Sequence, residues 1–188
     1  VSIHSGTEEL WIYDLARGSL TRLTSEQGSS ISPVWTPDGR RVVYRSNRGG
    51  NWNLYWRAAD GSGSEERLTT SETLQTPQSW SPDGKVLAFS EIAGGSRDIL
   101  TLALEGERKP TVFLQTRFEE NNPQFSPDGH WMAYTSDESG GGQVYVQPYP
   151  GPGRRWQIST DGGGTSQWNR NGRELFYRGA SGGTPQLI

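Results

Sequence analysis

An all-β fold, a β-propeller of about four blades with four antiparallel strands each, is what this sequence predicts, and three observations predict it. First, Thr36-Pro37-Asp38-Gly39 returns as Ser81-Pro82-Asp83-Gly84 and Ser126-Pro127-Asp128-Gly129 at a period of 45 residues, and a worn copy, Asn169-Arg170-Asn171-Gly172, follows after 43 more. A fixed period of about 40–50 residues in strand-forming sequence is the mark of repeated propeller blades. Second, apolar columns run in register with that turn: Trp35, Trp80, Phe125 and Trp168 before it; Tyr44, Phe89, Tyr134 and Tyr177 after it; then Ile12, Leu54, Ile99 and Val144; then Leu23, Leu68, Phe113 and Ile158. Third, apolar and polar residues alternate between Gly, Pro, Asn and Asp boundaries, while no stretch carries a capped helical period.

Each unit reads as four short strands. The first ends at the aromatic before the turn. Pro-Asp-Gly then turns the chain, because proline presets φ, Asp bonds the backbone ahead of it and Gly accepts a positive φ. The second strand is Arg41-Val42-Val43-Tyr44 and its equivalents at 85–89, 131–134 and 174–177. After a Gly-rich link comes the third strand, Leu54-Tyr55-Trp56, with 99–102 and 144–146. A polar turn leads to the fourth, Glu66-Arg67-Leu68-Thr69 or Trp156-Gln157-Ile158-Ser159. The chain reads as a single propeller domain over 1–188: a partial blade at 1–30, blades at 31–72, 73–117 and 118–162, and a partial blade at 163–188. Partial blades at both ends predict a fragment of a larger propeller. Their open strand edges predict either closure within the chain or pairing with a second copy as a homodimer.

Composition narrows the function. Hydrophobic residues make up only 31%, and 25 glycines with eight Trp, seven Tyr and five Phe suit thin, aromatic-rich sheets. A net charge of −3 gives no field favouring nucleic acid, and clusters such as Arg40-Arg41 and Arg154-Arg155 are offset by Glu8-Glu9 and Glu119-Glu120. There is no cysteine, hence no disulfide and no thiolate metal site. No run of about 18 apolar residues offers membrane insertion.

Catalytic strings are sparse. Gly179-Ala180-Ser181-Gly182-Gly183 matches G-x-S-x-G, but leads into Gly-Thr-Pro-Gln rather than a helix, so it reads as a loop. His130 shares its turn position with Arg40 and Lys85, and His4 belongs to another blade, so neither a Ser-His-Asp site nor an imidazole metal site is expected. Asp38, Asp83 and Asp128 recur because the turn needs them, and Asp137-Glu138 and Asp161 stand in Gly-rich loops without an evident partner. No catalytic, cofactor-binding or metal-binding residue is assigned, and no cofactor. The candidate binding residues are Asn47, Arg48, Trp52 and Asn53, in a loop that mixes amide, guanidinium and indole groups. Arg and Trp are the types most enriched at binding hot spots.

Two resemblances follow from these motifs. Trp80-Ser81-Pro82-Asp83-Gly84-Lys85-Val86-Leu87-Ala88-Phe89 and Phe125-Ser126-Pro127-Asp128-Gly129-His130-Trp131-Met132-Ala133-Tyr134, with Arg22-Leu23-Thr24 and Arg67-Leu68-Thr69, resemble the WD40-like repeat of TolB-type propellers. That resemblance covers nearly the whole chain. Val144-Tyr145-Val146-Gln147-Pro148-Tyr149-Pro150-Gly151-Pro152-Gly153, with Trp156-Gln157-Ile158-Ser159 and Asn171-Gly172-Arg173-Glu174-Leu175-Phe176-Tyr177, resembles the propeller region of bacterial transmembrane Ser/Thr kinases, although no kinase motif is present. The resemblance implies a non-catalytic module that binds a protein or peptide partner, in a periplasmic or extracytoplasmic setting. It also leaves an alternative: the gating propeller of a prolyl-oligopeptidase-like serine peptidase whose catalytic domain lies outside this chain.

Overall fold

The computed structural model describes residues 2–4, 7–24 and 28–179, and every regular element among them is a strand. In chain order, β1 (Ser2–His4) pairs with β2 (Thr7–Glu9), and β3 (Trp11–Asp14) pairs with β4 (Ser19–Arg22). Three four-stranded antiparallel meanders follow. The first is β5 (Ser30–Trp35), β6 (Arg41–Ser46), β7 (Asn53–Ala58) and β8 (Glu66–Arg67). The second is β9 (Leu74–Trp80), β10 (Val86–Ala93), β11 (Ser96–Ala103) and β12 (Pro110–Leu114). The third is β13 (Glu120–Phe125), β14 (Trp131–Ser136), β15 (Gln143–Pro148) and β16 (Trp156–Gln157). A last hairpin joins β17 (Gly163–Trp168) to β18 (Leu175–Gly179). Packing divides the chain into two units, Val1–Pro77 and Gln78–Ile188.

The repeated turn is a closed set of hydrogen bonds. The Thr36 hydroxyl donates to Asp38 Oδ1 at 2.6 Å and accepts from the Arg41 amide at 3.0 Å, while the Arg40 amide donates to Asp38 Oδ1 at 3.0 Å. Ser81 with Asp83 and Ser126 with Asp128 repeat the arrangement. Gly39, Gly84 and Gly129 have φ of 67°, 71° and 75°, a region that L side chains avoid. In the worn copy, Gly172 keeps the conformation and Asn171 Oδ1 accepts from the Arg173 amide, so Asn replaces Asp without changing the turn.

The Leu-Thr ending has an equally specific cause. Thr24 Oγ1 accepts from the Leu10 amide, Thr69 Oγ1 from the Leu54 amide and Ser159 Oγ from the Val144 amide, at 3.0, 3.0 and 2.8 Å. A hydroxyl thus takes over from backbone pairing at the end of the fourth strand. β8 and β16 are only two residues long, shorter than the four-residue strands the sequence predicts, although the Leu68 and Ile158 amides still donate to the Leu54 and Val144 carbonyls at 2.8 Å.

The first unit is centred on Leu10, Leu23, Val42, Tyr44 and Tyr55, with Tyr44 and Tyr55 stacked at 6.4 Å across the β6–β7 ladder. In the second unit Tyr134 and Tyr145 repeat that cross-strand stack at 5.8 Å, packed with Ile99. Beside them Ala88, Phe125 and Met132 form a second cluster, and Tyr149 meets Phe125 edge-on at 4.7 Å. Burying each such aromatic contributes about 1.5–3 kcal/mol. The column before the turn is not uniform. Trp80 and Phe125 are buried, whereas Trp35 is 49% exposed.

First strands carry a feature the sequence does not announce. Ser32, Asn122 and Thr165 have positive φ, at 56°, 54° and 48°, where the register of β5, β13 and β17 shifts against the next strand. These are β-bulges, which bend the strand and sharpen its twist. Pro77 stands at the corresponding place in β9, where its ring holds φ near −65°.

Candidate functional site

The loop over 46–53 is ordered by its own polar groups. Asn47 Oδ1 accepts from the Ser29 amide at 2.7 Å. Asn53 is fully buried: its Nδ2 donates to the Asn51 and Ser71 carbonyls, and its Oδ1 accepts from the Ser71 amide at 2.6 Å. Arg48 pairs with Glu65 and lies over the Tyr55 ring at 5.7 Å. Trp52 is half-buried under the Arg45 guanidinium at 5.1 Å. Of the four predicted residues, Arg48 and Trp52 reach the surface, while Asn47 and Asn53 spend their amides holding backbone.

The carboxylates flagged by the sequence resolve into local structure. Hydrogen bonds from the Thr36, Ser81 and Ser126 hydroxyls, then from the following amides, hold Asp38, Asp83 and Asp128 below the ordinary carboxyl value. Asp137 accepts from the Glu119 amide at 2.9 Å, and Glu138 pairs with Arg155 at 2.6 Å. Of the G-x-S-x-G string, 180–183 lie outside the described residues, as does the side chain of His4. Among the described residues, no three His, Cys, Asp or Glu side chains group as a metal site.

A different surface emerges in the second unit. An open groove of about 330 Å³ runs between the β13–β16 sheet and the β17–β18 hairpin. One wall is Trp131, Val146, Trp156 and Ile158; the other is Trp168, Gly172, Arg173 and Leu175, with Asp128 at the turn between β13 and β14. Strand pairing builds both walls: Val146 lies opposite Trp156, and Trp168 opposite Leu175. Trp131 and Trp156 meet edge to face at 5.5 Å. The Trp168 indole donates to the Gln124 carbonyl at 3.1 Å, which fixes its ring. Trp156 and Ile158 are nonetheless 38% and 42% exposed, and the Arg154 guanidinium lies 5.8 Å over the Trp156 ring.

The sequence signal for this groove is a break in the repeat. Trp131 stands where the other units have Arg41 and Val86, and Trp156 where they have Glu66 and Thr111. Two column residues, Ile158 and Trp168, complete the groove.

Comparisons with known proteins agree with the architecture. Residues 1–121 and 71–188 each match the family model described as TolB beta propeller domain. A 55-residue stretch is 33% identical to the Tol-Pal system protein TolB of Desulfotalea psychrophila, covering 29% of this chain and 13% of that protein. The crystal structure of TolB from Acinetobacter baumannii superposes with a TM-score of 0.77 at 23% identity, over 94% of this chain and 44% of that one. A prolyl endopeptidase superposes with a TM-score of 0.63 at 16% identity, over 94% of this chain and 32% of that one, which is a likeness of fold alone. The chain therefore spans less than half the length of each of these relatives.

Proposed function

Because the chain belongs to the TolB β-propeller domain family, we propose that it serves as a non-catalytic module that binds a protein or peptide partner through the tryptophan-lined groove of its second unit. The observation that carries this reading is the exposure of Trp156 and Ile158 beside the fixed rings of Trp131 and Trp168. Rigid aromatic anchors on a sheet frame contribute contact area at small entropic cost and dominate binding energy at interfaces. Rigid strands give such a module a fixed frame on which to present its anchors. The name of the Desulfotalea psychrophila relative, a Tol-Pal system protein, adds support for a role among protein partners. Arg48 and Trp52 offer a second, smaller surface in the first unit.

The test is a peptide-array screen of the full chain, with the selected peptides titrated by fluorescence anisotropy against Trp156→Ala and against Arg48→Ala/Trp52→Ala. Trp156→Ala is expected to weaken binding tenfold or more, and the double variant to stay within about twofold, in line with the concentration of binding energy in a few aromatic anchors. Binding that ignores Trp156→Ala, or an array without a specific peptide, overturns the groove. Peptide hydrolysis by the full chain overturns the non-catalytic reading.

A further inference from the structure

We propose that the groove selects an acidic, proline-bearing extended peptide, an inference that rests on its being a binding site and names what it takes. Charge is the first argument. Residues 151–179 carry five arginines against Asp161 and Glu174, a local net charge of +3 in a chain of net −3. Two of those arginines serve the groove, Arg173 lining it and Arg154 covering Trp156, against one lining carboxylate, that of Asp128. Arg155, next to Arg154, is already neutralised by Glu138 at 2.6 Å. Neither Arg154 nor Arg173 has a carboxylate within ion-pairing distance among the described residues. Their planar guanidinium groups are suited to receive carboxylates in bidentate fashion.

The second argument is what the walls lack. Apart from Asp128 and Arg173 they present rings and aliphatic side chains, and Asp128 Oδ1 is already taken by the Ser126 hydroxyl and the His130 amide. A backbone laid against them finds few partners for its N–H groups, and an unpaired buried N–H is costly. Proline has no N–H, and a polyproline II segment keeps its carbonyls in water while pressing its rings on aromatic faces. The edge-to-face pair of Trp131 and Trp156 offers such a face. A long polyanion such as a single-stranded nucleic acid would also meet arginine and tryptophan here. The net negative charge of the whole chain disfavours it, whereas a short acidic peptide senses only the local field.

The experiment uses the full chain and four fluorescein-labelled probes: a twelve-residue peptide alternating Pro and Glu, the same with Lys for Glu, the same with Ala for Pro, and an oligothymidine of equal length. Anisotropy is read at 50 and 200 mM salt. The Pro-Glu peptide is expected to bind best, the Lys version at least tenfold weaker and the Ala version several-fold weaker. Affinity falls with salt, and Arg173→Gln and Arg154→Gln each weaken it about fivefold without changing the far-ultraviolet spectrum. Equal binding of the Lys peptide, tighter binding of the oligothymidine, indifference to both arginine variants, or no binding of any probe overturns the ligand class. If array-selected peptides still depend on Trp156 in that case, the binding module stands and only its acidic, proline-bearing ligand falls. If they do not, both fall.

Discussion

Asp98 occupies a position that the other sheets fill with an amide. Asn53 and Gln143 stand 45 residues to either side, and their side chains both donate and accept to hold the link to the next strand. Asp98 has no side-chain amide N–H to offer. Its Oδ2 takes a bond from Gln115 at 2.8 Å, but its Oδ1 is buried without a partner. Glu120, 1% exposed, likewise has Oε2 buried without a partner while Oε1 accepts from Thr116. Burial, opposed by the Thr116 hydrogen bond and joined by the charges of Asp98 and Asp137, holds Glu120 above its ordinary value of 4.5. A carboxyl whose folded value is raised favours the folded state fully below its unfolded value, and that stability is lost as pH rises through the folded value. The turn aspartates run the other way: held below 3.8, they contribute above that value and lose their contribution as pH falls beneath it. Stability is therefore expected to peak near pH 4–5 by this linkage and to decline on both sides. Denaturant melts across pH should show Glu120→Gln removing the decline above the peak and leaving the acid side intact. Asp98→Asn, which restores the amide of the other sheets, should stabilise at pH 7 by about 1 kcal/mol, the scale of one buried unsatisfied polar group. An unchanged pH profile in Glu120→Gln would place the buried charge elsewhere.

At the scale of the element, the turn and the bulge respond to substitution in opposite senses. Ser126 both donates to Asp128 and accepts from the Trp131 amide, so Ser126→Ala leaves a strand amide unpaired and is expected to cost about 1–2 kcal/mol in chemical denaturation. Thr165 holds φ at 48° with a β-branched side chain, and Thr165→Gly is expected to stabilise by about 0.5–1 kcal/mol once the entropy of glycine in the unfolded chain is deducted. A loss of stability in that variant would mean the side chain packs more than its exposure suggests. These two sites mark what was legible in the sequence. Ser-Pro-Asp-Gly was legible because its chemistry is local and every copy repeats it. The bulges were not: Ser32, Asn122 and Thr165 share neither residue type nor size, and their φ is imposed by the sheet. Arg48 and Trp52 were legible as a polar and aromatic loop. Asn53 looked the same in sequence, and only its burial between Asn51 and Ser71 distinguishes it. The groove escaped because its walls come from separate strand sets, β14–β16 and β17–β18, so the departures from the repeat at Trp131 and Trp156 did not show what they face.

Over the whole molecule, stability is distributed by strand position rather than along the chain. In each four-stranded sheet the second and third strands are paired on both sides and carry the fully buried residues: Val43, Tyr44 and Leu54 in the first, Leu87, Phe89 and Ile99 in the second, Met132, Tyr134 and Val144 in the third. The fourth strands β8 and β16 are two residues long and exposed, β12 is exposed at 111–112, and β4 shows Leu20 to solvent. Buried phenols sharpen the contrast, since desolvation pushes Tyr134 up to about 12 and Tyr44 further still. Amides whose bonds lie between buried strands exchange only through large openings, whereas those of exposed edges exchange through local fraying. Hydrogen exchange read by mass spectrometry should therefore show a three-fold periodic pattern. Peptides covering 42–46, 87–91 and 132–136 should be the slowest, and those covering 19–22, 66–67, 111–112 and 156–157 the fastest. Because Trp156 lies in one of the fast segments, occupation of the groove should slow exchange at 156–157 and leave 42–46 unchanged. Slowing spread evenly over all three sheets would instead mean that the ligand stabilises the molecule as a whole rather than the edge it rests on.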